Sequence, residues 1–405
     1  TVLGSLSGPH VPALACCGDV EGCPYLVMEF IPGATLEATA QQAPRPPEEV
    51  ARLGAALATA VHELHRQGVI HLDLKPANVM FRPDGRAVLV DFGLSHHTRQ
   101  PDLLAEEFHT PMGNWPYMAP EQVVGVRRDP RSDIFALGAM LYELATGELP
   151  YGMPETMPGL RRRLFGAPPP LRAVRPEVPA WLQEVVLHCL ETRADQRPAS
   201  AAQVAFALTH HDQIVVGERG ERRRGESLWK PLWRQWRGKA YEPAPCPDVS
   251  TAALAAPIIV AAVPTVHTND ALFEALRAAV RRERLAQPAC RLACVAVVAP
   301  AAPGAATGNG PSAVGQHIQH LVQLRQWAQP LGLPEGAVTF HVLESPRPAE
   351  ALVGYAKANM VDQIILGAST RGLRRRGGVA AQVAAEAPCS VLLVRVRAND
   401  ESPVR

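Results

Sequence analysis

The first two hundred residues combine short apolar runs with longer stretches of helical periodicity. Apolar residues recur every three or four positions across 46–67, and Gly68 follows, a pattern that predicts a helix ending at a glycine. Continuous apolar runs at 25–30 and 87–90 are short and are followed by turn-forming residues, which predicts a buried strand at 25–30 and a second short strand at 87–90. Helical spacing returns further along and predicts three more helices, at 134–144, 181–190 and 201–208.

The second half of the chain alternates strand and helix patterns in regular succession. Runs rich in valine, isoleucine and leucine predict five strands, at 258–263, 292–298, 338–343, 363–367 and 390–396. The stretches between them have helical spacing and predict helices at 270–284, 312–329, 348–358 and 379–385. Strands that are apolar along their whole length and separated by helices indicate a parallel, doubly wound sheet covered on both faces.

Composition narrows the class of protein without naming a function. The 405 residues are 47% hydrophobic, and 40 Lys and Arg nearly balance 39 Asp and Glu, so the net charge of +1 does not favour nucleic acid as a partner. The longest apolar stretch, 252–264, contains prolines and is shorter than the roughly 18–20 residues that cross a bilayer. The eight cysteines form no Cys-x-x-Cys pair. We interpret the chain as a cytoplasmic protein with reduced thiols.

A polar loop in the first half concentrates the residues best suited to chemistry. Residues 71–80 have the sequence His-Leu-Asp-Leu-Lys-Pro-Ala-Asn-Val-Met, and Asp91 follows the next predicted strand. Transfer of a phosphoryl group needs an oriented nucleophile, positive charge near the phosphates and a metal bound by oxygen atoms. Asp73 could accept the proton of an attacking hydroxyl, and Lys75 could neutralise the phosphoryl group. Asn78 and Asp91 could hold magnesium against the phosphates.

At these residues the chain resembles the eukaryotic-type Ser/Thr protein kinases of bacteria. Three more segments follow in that family's order: Met-Ala-Pro-Glu at 118–121, Ser-Asp-Ile-Phe-Ala-Leu-Gly at 132–138, and Arg197 before a proline. Lys75 is typical of the Ser/Thr type rather than the tyrosine type. The resemblance implies an α+β protein kinase fold, present mainly as its helical C-lobe. It also implies ATP and Mg²⁺ as cofactors, a protein hydroxyl as acceptor with Asp73 as base, and a role in bacterial signalling or stress response.

The resemblance also implies where the adenine of ATP would bind. Met28 falls at the gatekeeper position, and Met80 would form the floor of the adenine pocket. The backbone carbonyl of Glu29 and the backbone groups of Ile31 would meet the adenine edge. These four residues are therefore predicted as nucleotide contacts.

Two other classes of protein remain as alternatives to an active protein kinase. Small-molecule phosphotransferases share the His-x-Asp-x-x-x-x-Asn loop and would act on antibiotics or sugars. The Asp-Phe-Gly at 91–93, the Ala-Pro-Glu and Asp133 together favour the protein kinases. Glu121 and Arg197 are predicted to pair in a structural role, since a partly buried ion pair could lock the substrate loop whereas an exposed one contributes little. A non-catalytic scaffold, or pseudokinase, is the second alternative.

Several positions depart from the family pattern. Leu72 stands where the family usually has arginine, so a phosphate on the activation segment would lack its guanidinium partner and switching by that phosphate is not expected. Asn114 replaces the usual threonine but can still donate and accept hydrogen bonds near Asp73. Upstream of Tyr25 there is no counterpart of the Gly-rich loop, the strand lysine or its glutamate partner. We expect a longer parent protein to be the active kinase and these 405 residues alone to be weak or inactive.

A basic segment separates the two halves. Between residues 217 and 239, eight Lys or Arg accompany three Glu, and Trp229, Trp233 and Trp236 recur on one helical face. Such a helix could lie on an anionic membrane or a partner, but an interrupting proline and the cost of exposed tryptophans favour packing on the protein's own domains. The sequence therefore predicts three regions: a kinase domain at 1–212, a basic Trp-containing linker at 213–251 and an α/β domain at 252–397.

The last region resembles the universal stress protein family. Gly-Ala-Ser-Thr at 367–370 follows a strand, and 387–394 has the sequence Ala-Pro-Cys-Ser-Val-Leu-Leu-Val. Nucleotide-binding members use glycines in this loop to approach phosphate. Here Thr370 replaces the second glycine, and Val263 and a proline stand where those members have an Asp, so we do not expect strong ATP binding. The arginines Arg371, Arg374, Arg375 and Arg376 are interpreted as a solvated surface run. The domain is predicted to serve regulation or homodimer formation.

Overall fold

The computed structural model of the chain describes residues 2–100, 102, 104, 111–225, 241–247, 249, 257–266, 270–300, 313–334, 336–368 and 378–395. The chain divides into two compact units, Thr1–Leu254 and Ala255–Arg405. Within the described ranges, no helix is both long enough and apolar enough to cross a membrane. Some predicted features lie outside the described residues, namely the tryptophan helix with Trp229, Trp233 and Trp236, the arginines at 371–376, and Ser369 with Thr370.

The first unit is mainly helical. Its described helices are α1 Leu36–Ala40, α2 Pro47–Arg66, α3 Pro120–Val123, α4 Arg131–Thr146, α5 Met157–Arg161, α6 Leu171–Val174, α7 Ala180–Cys189, α8 Ala201–Thr209 and α9 Glu218–Glu221. Single 3₁₀ turns occur at Val2–Ser5, Pro76–Asn78, Trp115–Tyr117, Arg162–Leu164, Ala194–Gln196 and His211–Gln213. Its strands are β1 Leu14–Val20, β2 Cys23–Met28, β3 Val69–Ile70, β4 Val79–Phe81, β5 Ala87–Leu89 and β6 His96–His97. They form three antiparallel pairs, β1 with β2, β3 with β6, and β4 with β5.

Helix α4 is the centre of the first unit. Fourteen of its sixteen residues are buried, so it lacks the polar face that a surface helix would have. The sequence pattern predicted a helix at 134–144, and the structure extends it to Arg131 because the first turn is polar and escaped an apolar count. Gly138 brings α4 close to α7, since a Cβ at that position would lie 2.6 Å from Cβ of Cys189. The predicted helices α2, α7 and α8 are confirmed to within one residue at each end.

The prediction of a buried strand at 25–30 is wrong in its burial. Strand β2 ends at Met28, and all six of its residues are exposed. Its partner β1 is exposed at every position after Leu14. Among the described residues β2 pairs with β1 alone, so an apolar sequence that would suit the interior of a larger sheet lies here in a two-stranded hairpin. An apolar sequence shows that a strand is able to be buried. It does not show whether other residues pack over that strand.

Part of the predicted linker packs against the first unit. The side-chain amide of Gln183, buried in α7, donates to the carbonyls of Arg219, Gly220 and Arg222 at 2.7, 3.0 and 2.8 Å. The Gly220 N–H in turn donates to the Glu184 carboxylate at 2.7 Å. These bonds satisfy the carbonyls of the short helix α9, which its own turn leaves free. The chain after the last long helix is therefore fixed on α7 before it reaches residue 226.

The second unit is a parallel sheet covered by helices. Its strands are β7 Ile258–Ala262, β8 Arg291–Val298, β9 Val338–Glu344, β10 Gln363–Gly367 and β11 Ser390–Val394, in the order β11-β10-β7-β8-β9. Its helices are α10 Asp270–Ala286, α11 Ala313–Ala328, α12 Pro348–Ala358 and α13 Val379–Glu386, and a 3₁₀ turn follows at Gln329–Leu331. All four strand pairings are parallel, and the first strand, β7, lies in the middle. The predicted doubly wound sheet is confirmed.

Glu121 and Arg197 form a fully buried ion pair in the first unit. Two guanidinium nitrogens of Arg197 donate to the Glu121 carboxylate at 2.6 and 2.8 Å, and the Ser132 hydroxyl donates to the same carboxylate at 2.7 Å. Burial alone would raise the pKa of Glu121, but the charge and hydrogen bonds of Arg197 and the Ser132 hydrogen bond outweigh it and hold the pKa below its ordinary value. The pair joins α3 to the start of α8, as the structural role predicted for both residues requires.

Removal of one partner should leave a buried charge without compensation. We expect Arg197→Ala to lower the free energy of unfolding of the first unit by about 3–5 kcal/mol. Arg193→Ala is the matched control, because it breaks a pair with Asp195 of similar length, 2.7 Å, that is exposed on both sides. That variant should lose less than about 1 kcal/mol. Urea unfolding followed by circular dichroism measures both, and equal losses would contradict the difference in burial.

Candidate functional site

The polar loop begins with a backbone conformation that a side chain from α4 holds in place. Leu72 has a φ of +65°, which is uncommon for a residue with a Cβ. The Asp133 carboxylate accepts the N–H of His71 at 2.8 Å and the N–H of Leu72 at 2.9 Å. His65 in α2 contacts the same carboxylate through Nε2 at 2.8 Å. One buried carboxylate therefore fixes the turn that leads into Asp73.

The charge state of this anchor follows from its surroundings. Burial raises the pKa of Asp133, but the hydrogen bond and charge of His65 and the bond from the His71 backbone outweigh burial and hold the pKa below its ordinary value. Burial has the opposite effect on His71, whose pKa is lowered because the ring is enclosed. The carboxylate therefore stays ionised at neutral pH, where it accepts all three hydrogen bonds.

The Asp73 carboxylate is the point at which the predicted site residues converge. Lys75 Nζ donates to Oδ2 at 2.9 Å, and the Asn78 side-chain amide lies 3.3 Å from the same oxygen. The backbone N–H of Asn114 donates to Oδ1 at 2.8 Å. Gly113 allows this approach, since its φ is +122° and a Cβ there would lie 3.3 Å from Oδ1. The loop and the segment at 113–114 therefore meet on one carboxylate, which is almost buried.

Asn78 and Asp91 are held close together by backbone bonds. The Asn78 amide nitrogen donates to the backbone carbonyl of Asp73 at 2.9 Å, and its Oδ1 accepts no hydrogen bond from the residues that the structure describes. The N–H of Val90 donates to the Asn78 carbonyl at 3.0 Å, and Asp91 follows directly. Asp91 is exposed, has a φ of +65°, and accepts the N–H of Gly93 at 3.3 Å. Two side-chain oxygens are thus presented from adjoining segments, which is the donor type that Mg²⁺ prefers.

The four residues predicted to contact adenine lie on two adjoining segments. Met28, at the end of β2, lines a cleft of about 720 Å³ together with Asp91 and Phe92. Met80 in β4 forms an isolated antiparallel β-bridge with Thr35, which lies four residues after buried Ile31. That loop therefore lies directly against β4.

The side chain of Glu29 is bound on the outside of this region. Arg82 donates to its carboxylate at 2.6 and 2.9 Å, and the Ala13 N–H donates at 3.2 Å. The hydrogen bond from Arg82 is the main reason that the pKa of Glu29 lies below its ordinary value. Because Arg82 binds the carboxylate and the Glu29 N–H donates to the Ala13 carbonyl at 2.8 Å, the backbone carbonyl is the group of Glu29 that remains for an adenine contact.

Three contacts of the loop escaped the sequence analysis. The Gln122 amide donates to the Leu72 carbonyl at 2.9 Å, and the Ser95 hydroxyl donates to the His71 carbonyl at 3.2 Å. The third is the backbone N–H of Asn114, where the sequence suggested the side chain. No periodicity distinguishes such residues, because each acts through one polar atom on a backbone group. Gln122 had one usable signal, since it directly follows the Ala-Pro-Glu at 119–121.

Comparison with known proteins bears on both units. A model of the protein kinase domain matches residues 1–211, and a model of the universal stress protein family matches residues 258–395. Serine/threonine-protein kinase PknH of Mycobacterium bovis is 32% identical over 207 residues, which cover 51% of this chain and 34% of PknH. The DNA damage-responsive serine/threonine-protein kinase RqkA of Deinococcus radiodurans is 34% identical over 231 residues, covering 56% of this chain and 34% of RqkA.

A third relative, serine/threonine-protein kinase pkn2 of Myxococcus xanthus, is 33% identical over 214 residues, covering 51% of this chain and 26% of pkn2. The chain thus spans about a third or less of the length of these curated relatives. The kinase model matches more than half of the 405 residues, and the relatives that match the same half are bacterial Ser/Thr protein kinases. The chain therefore belongs to the protein kinase family, and a region that matches the universal stress protein family follows its kinase domain.

Proposed function

We propose that this protein transfers a phosphoryl group from Mg-ATP to a serine or threonine hydroxyl of a protein substrate, with Asp73 as the base. The convergence of Lys75, Asn78 and the Asn114 backbone on the Asp73 carboxylate is the observation that carries the proposal. One oxygen, Oδ2, faces the lysine, and the other accepts a single backbone N–H. A carboxylate held from both sides in this way orients an incoming hydroxyl, and orientation is the main contribution that a protein makes to this reaction.

The chain's own charges divide the remaining work. Lys75 lies 2.9 Å from Asp73, so its ammonium can neutralise the phosphoryl group as that group approaches the hydroxyl. Asn78 Oδ1 and the Asp91 carboxylate are proposed to hold magnesium, because both are oxygen donors and the backbone fixes them side by side. Magnesium bound with ATP supplies positive charge to the phosphate oxygens. The protein supplies the geometry that keeps Asp73 and the phosphates in line.

The adenine contacts are proposed on the segments that flank β4. Among the described residues, Ile31 forms no backbone hydrogen bond and the Glu29 carbonyl accepts none, so these groups are available to an adenine edge. Met28 and Met80 would contact the ring from either side. Ile31 itself is buried, which fixes the backbone it presents.

The wider setting is part of the same proposal. The named relatives are bacterial Ser/Thr protein kinases, one of them responsive to DNA damage. We place this protein in bacterial signalling or stress response in the cytoplasm, with the universal stress protein domain in a regulatory or homodimerising role. The predicted boundaries at residues 212 and 252, with a linker between them, remain part of this proposal.

Substitution of the base tests the reaction. Asp73→Asn in the protein expressed from its complete reading frame should lower kcat for a generic basic protein by about 10²–10⁴-fold, because the amide cannot accept the hydroxyl proton. Asp84→Asn is the control, since Asp84 is an exposed residue in the turn after β4 and should leave kcat unchanged. Transfer of radiolabelled phosphate measures both variants.

The outcomes of that assay separate the alternatives. Absence of turnover in the wild-type protein, with Mg-dependent nucleotide binding retained, would favour a scaffold. Phosphorylation of an aminoglycoside or a sugar but of no protein would favour a small-molecule phosphotransferase.

The magnesium site can be tested without turnover. Asp91→Ala should abolish the Mg-dependent part of the thermal stabilisation by a non-hydrolysable ATP analogue, because a ligand stabilises a fold only as far as it binds it. Asp195→Ala, which removes an exposed carboxylate far along the chain, should retain the full shift. Equal shifts in both variants would place the metal elsewhere.

A further inference from the structure

The side chain of Leu72 is covered by a residue from far along the chain. Leu72, Ile70 and Val249 form a small apolar cluster in which each residue is at most 4% exposed. The polar contacts described above hold only the backbone at this point. Asp133 binds the Leu72 N–H, and Gln122 binds its carbonyl. Val249 therefore completes the apolar cluster that encloses the Leu72 side chain, which those polar groups do not contact.

Val249 belongs to a segment that is fixed along the first unit. We call residues 241–247 with Val249 the clamp segment. Tyr241 packs against the cluster of Met118, Leu160 and Leu164, and its hydroxyl donates to the Thr192 carbonyl at 3.3 Å. The Pro245 carbonyl accepts a hydrogen bond from Arg131 at 2.9 Å. The clamp segment thus runs from Met118, near the end of the activation segment (residues 91–121), to the polar loop at 71–80, which we call the catalytic loop.

Arg131 is itself held in place where it binds the clamp segment. Its guanidinium donates to both oxygens of Asp129 at 2.9 and 2.7 Å, and Asp129 is buried. Between Tyr241 and Val249, Ala244 is also buried. Polar and apolar contacts therefore alternate along the clamp segment, which is the pattern expected of a docked strand of chain rather than of a free tether.

The outer side of the clamp segment faces the start of the activation segment. Cys246, Pro247 and Val249 form one wall of a cleft of about 670 Å³, and residues 96–100, except His97, with Arg128 form the others. The clamp segment therefore packs against the Met118 cluster through Tyr241 and faces the residues at 96–100 across this cleft. In this position it occupies the side of the loop toward which an arginine at residue 72 would project.

The chemistry of residue 72 explains why an apolar cover is needed. An arginine at this position could remain in water or bind an anion. A leucine stabilises the folded state only when its side chain is buried. Its positive φ is a conformation that the surroundings must impose. If the side chain lost its cover, the backbone amides that Asp133 binds would open more often, and Asp73, the next residue, would lose its orientation.

We propose that the clamp segment docks on the catalytic loop of its own chain, and that Val249 is a positioning residue that acts on Asp73 through Leu72. This inference rests on the proposed function for its kinetic consequence. In other kinases a charged residue at position 72 could support the loop. Here that support comes from the clamp segment, which lies beyond the family-matched residues 1–211. Because Val249 lies nine residues before Ile258, the support comes from the chain that leads directly into the universal stress protein domain.

The test compares substitutions of Val249 in the full chain. Val249→Asp should lower kcat by at least about ten-fold and change KM for ATP by less than about two-fold, because the nucleotide contacts are untouched. Val249→Ala should show the same effect to a smaller degree, about three-fold, and guards against a failure of the aspartate variant to fold. Val249→Ile keeps the apolar contact and should retain wild-type kcat. Cys246→Ser changes an exposed side chain of the same segment and should have no effect.

Hydrogen exchange provides a readout that does not depend on turnover. The amides of His71 and Leu72, bound by Asp133, should exchange at least about ten times faster in Val249→Asp than in the wild type or in Val249→Ile. Unchanged exchange overturns the proposal, whatever happens to kcat, and so does faster exchange with unchanged kcat in an active protein. If the wild-type protein expressed from its complete reading frame shows no turnover, the proposed function fails, and the exchange comparison alone decides whether the clamp segment holds the loop.

Discussion

The candidate site depends on one buried carboxylate. Asp133 accepts two consecutive backbone N–H groups, of His71 and Leu72, and also contacts His65. Two N–H groups can point toward one carboxylate only when the backbone turns sharply, and the positive φ of Leu72 is that turn. An asparagine would offer one acceptor and one donor, so one of the two amides would face another N–H. The direction in which Asp73 leaves the loop is therefore set by the ionised state of a buried residue in α4.

The other segments of the site are positioned by hydrogen bonds to backbone groups rather than by contacts between functional side chains. The Asn78 carbonyl binds Val90, which places Asp91 beside the loop, and Gln122 ties the Leu72 carbonyl to the segment that ends in Glu121. Each bond joins a part of the chain that carries a proposed role to a part that is buried. A substitution at such a position would displace a group with a proposed catalytic role without removing it, so structural effects of such a substitution would resemble catalytic ones.

The sequence predicted what periodicity and motif order encode. The strands of the second unit and helices α2, α7 and α8 of the first were located to within one or two residues, because burial of one face leaves a regular spacing. Asp73, Lys75, Asn78 and Asp91 were proposed as site residues because their order along the chain is itself the signal.

The exposure of β2 and the packing of Val249 could not be predicted from the sequence. Burial of a strand depends on which residues pack over it. Val249 and Leu72 share a cluster although they are far apart in the sequence, and local sequence patterns do not report such long-range packing. The pairing of Glu121 with Arg197 was expected, but its complete burial, which decides its energetic weight, came only from the structure.

Two buried arginines bind the stretch from Met118 to Glu121, which ends the activation segment. Arg197 pairs with Glu121, whereas Arg163 donates to the carbonyls of Met118 and Leu160 and lies 5.1 Å from the Tyr151 ring. Because Arg163 has no carboxylate against it in the residues described, burial lowers its pKa to about 10, still well above neutral pH. Both guanidinium groups therefore remain charged, and they bind the two ends of the stretch from Met118 to Glu121.

A segment whose end is fixed by permanent buried charge does not require an added phosphate to hold that end. This agrees with the presence of leucine at position 72. In a family member that relies on phosphorylation, an arginine at that position provides a conditional charge partner, occupied only when the phosphate is present. Here the partners next to the loop are unconditional: Asp133 on its backbone, Val249 on the Leu72 side chain, and Arg163 and Arg197 on the segment beyond it. Of these four partners only Val249 lies outside the matched kinase domain, so its contact is the one that the rest of the chain could alter.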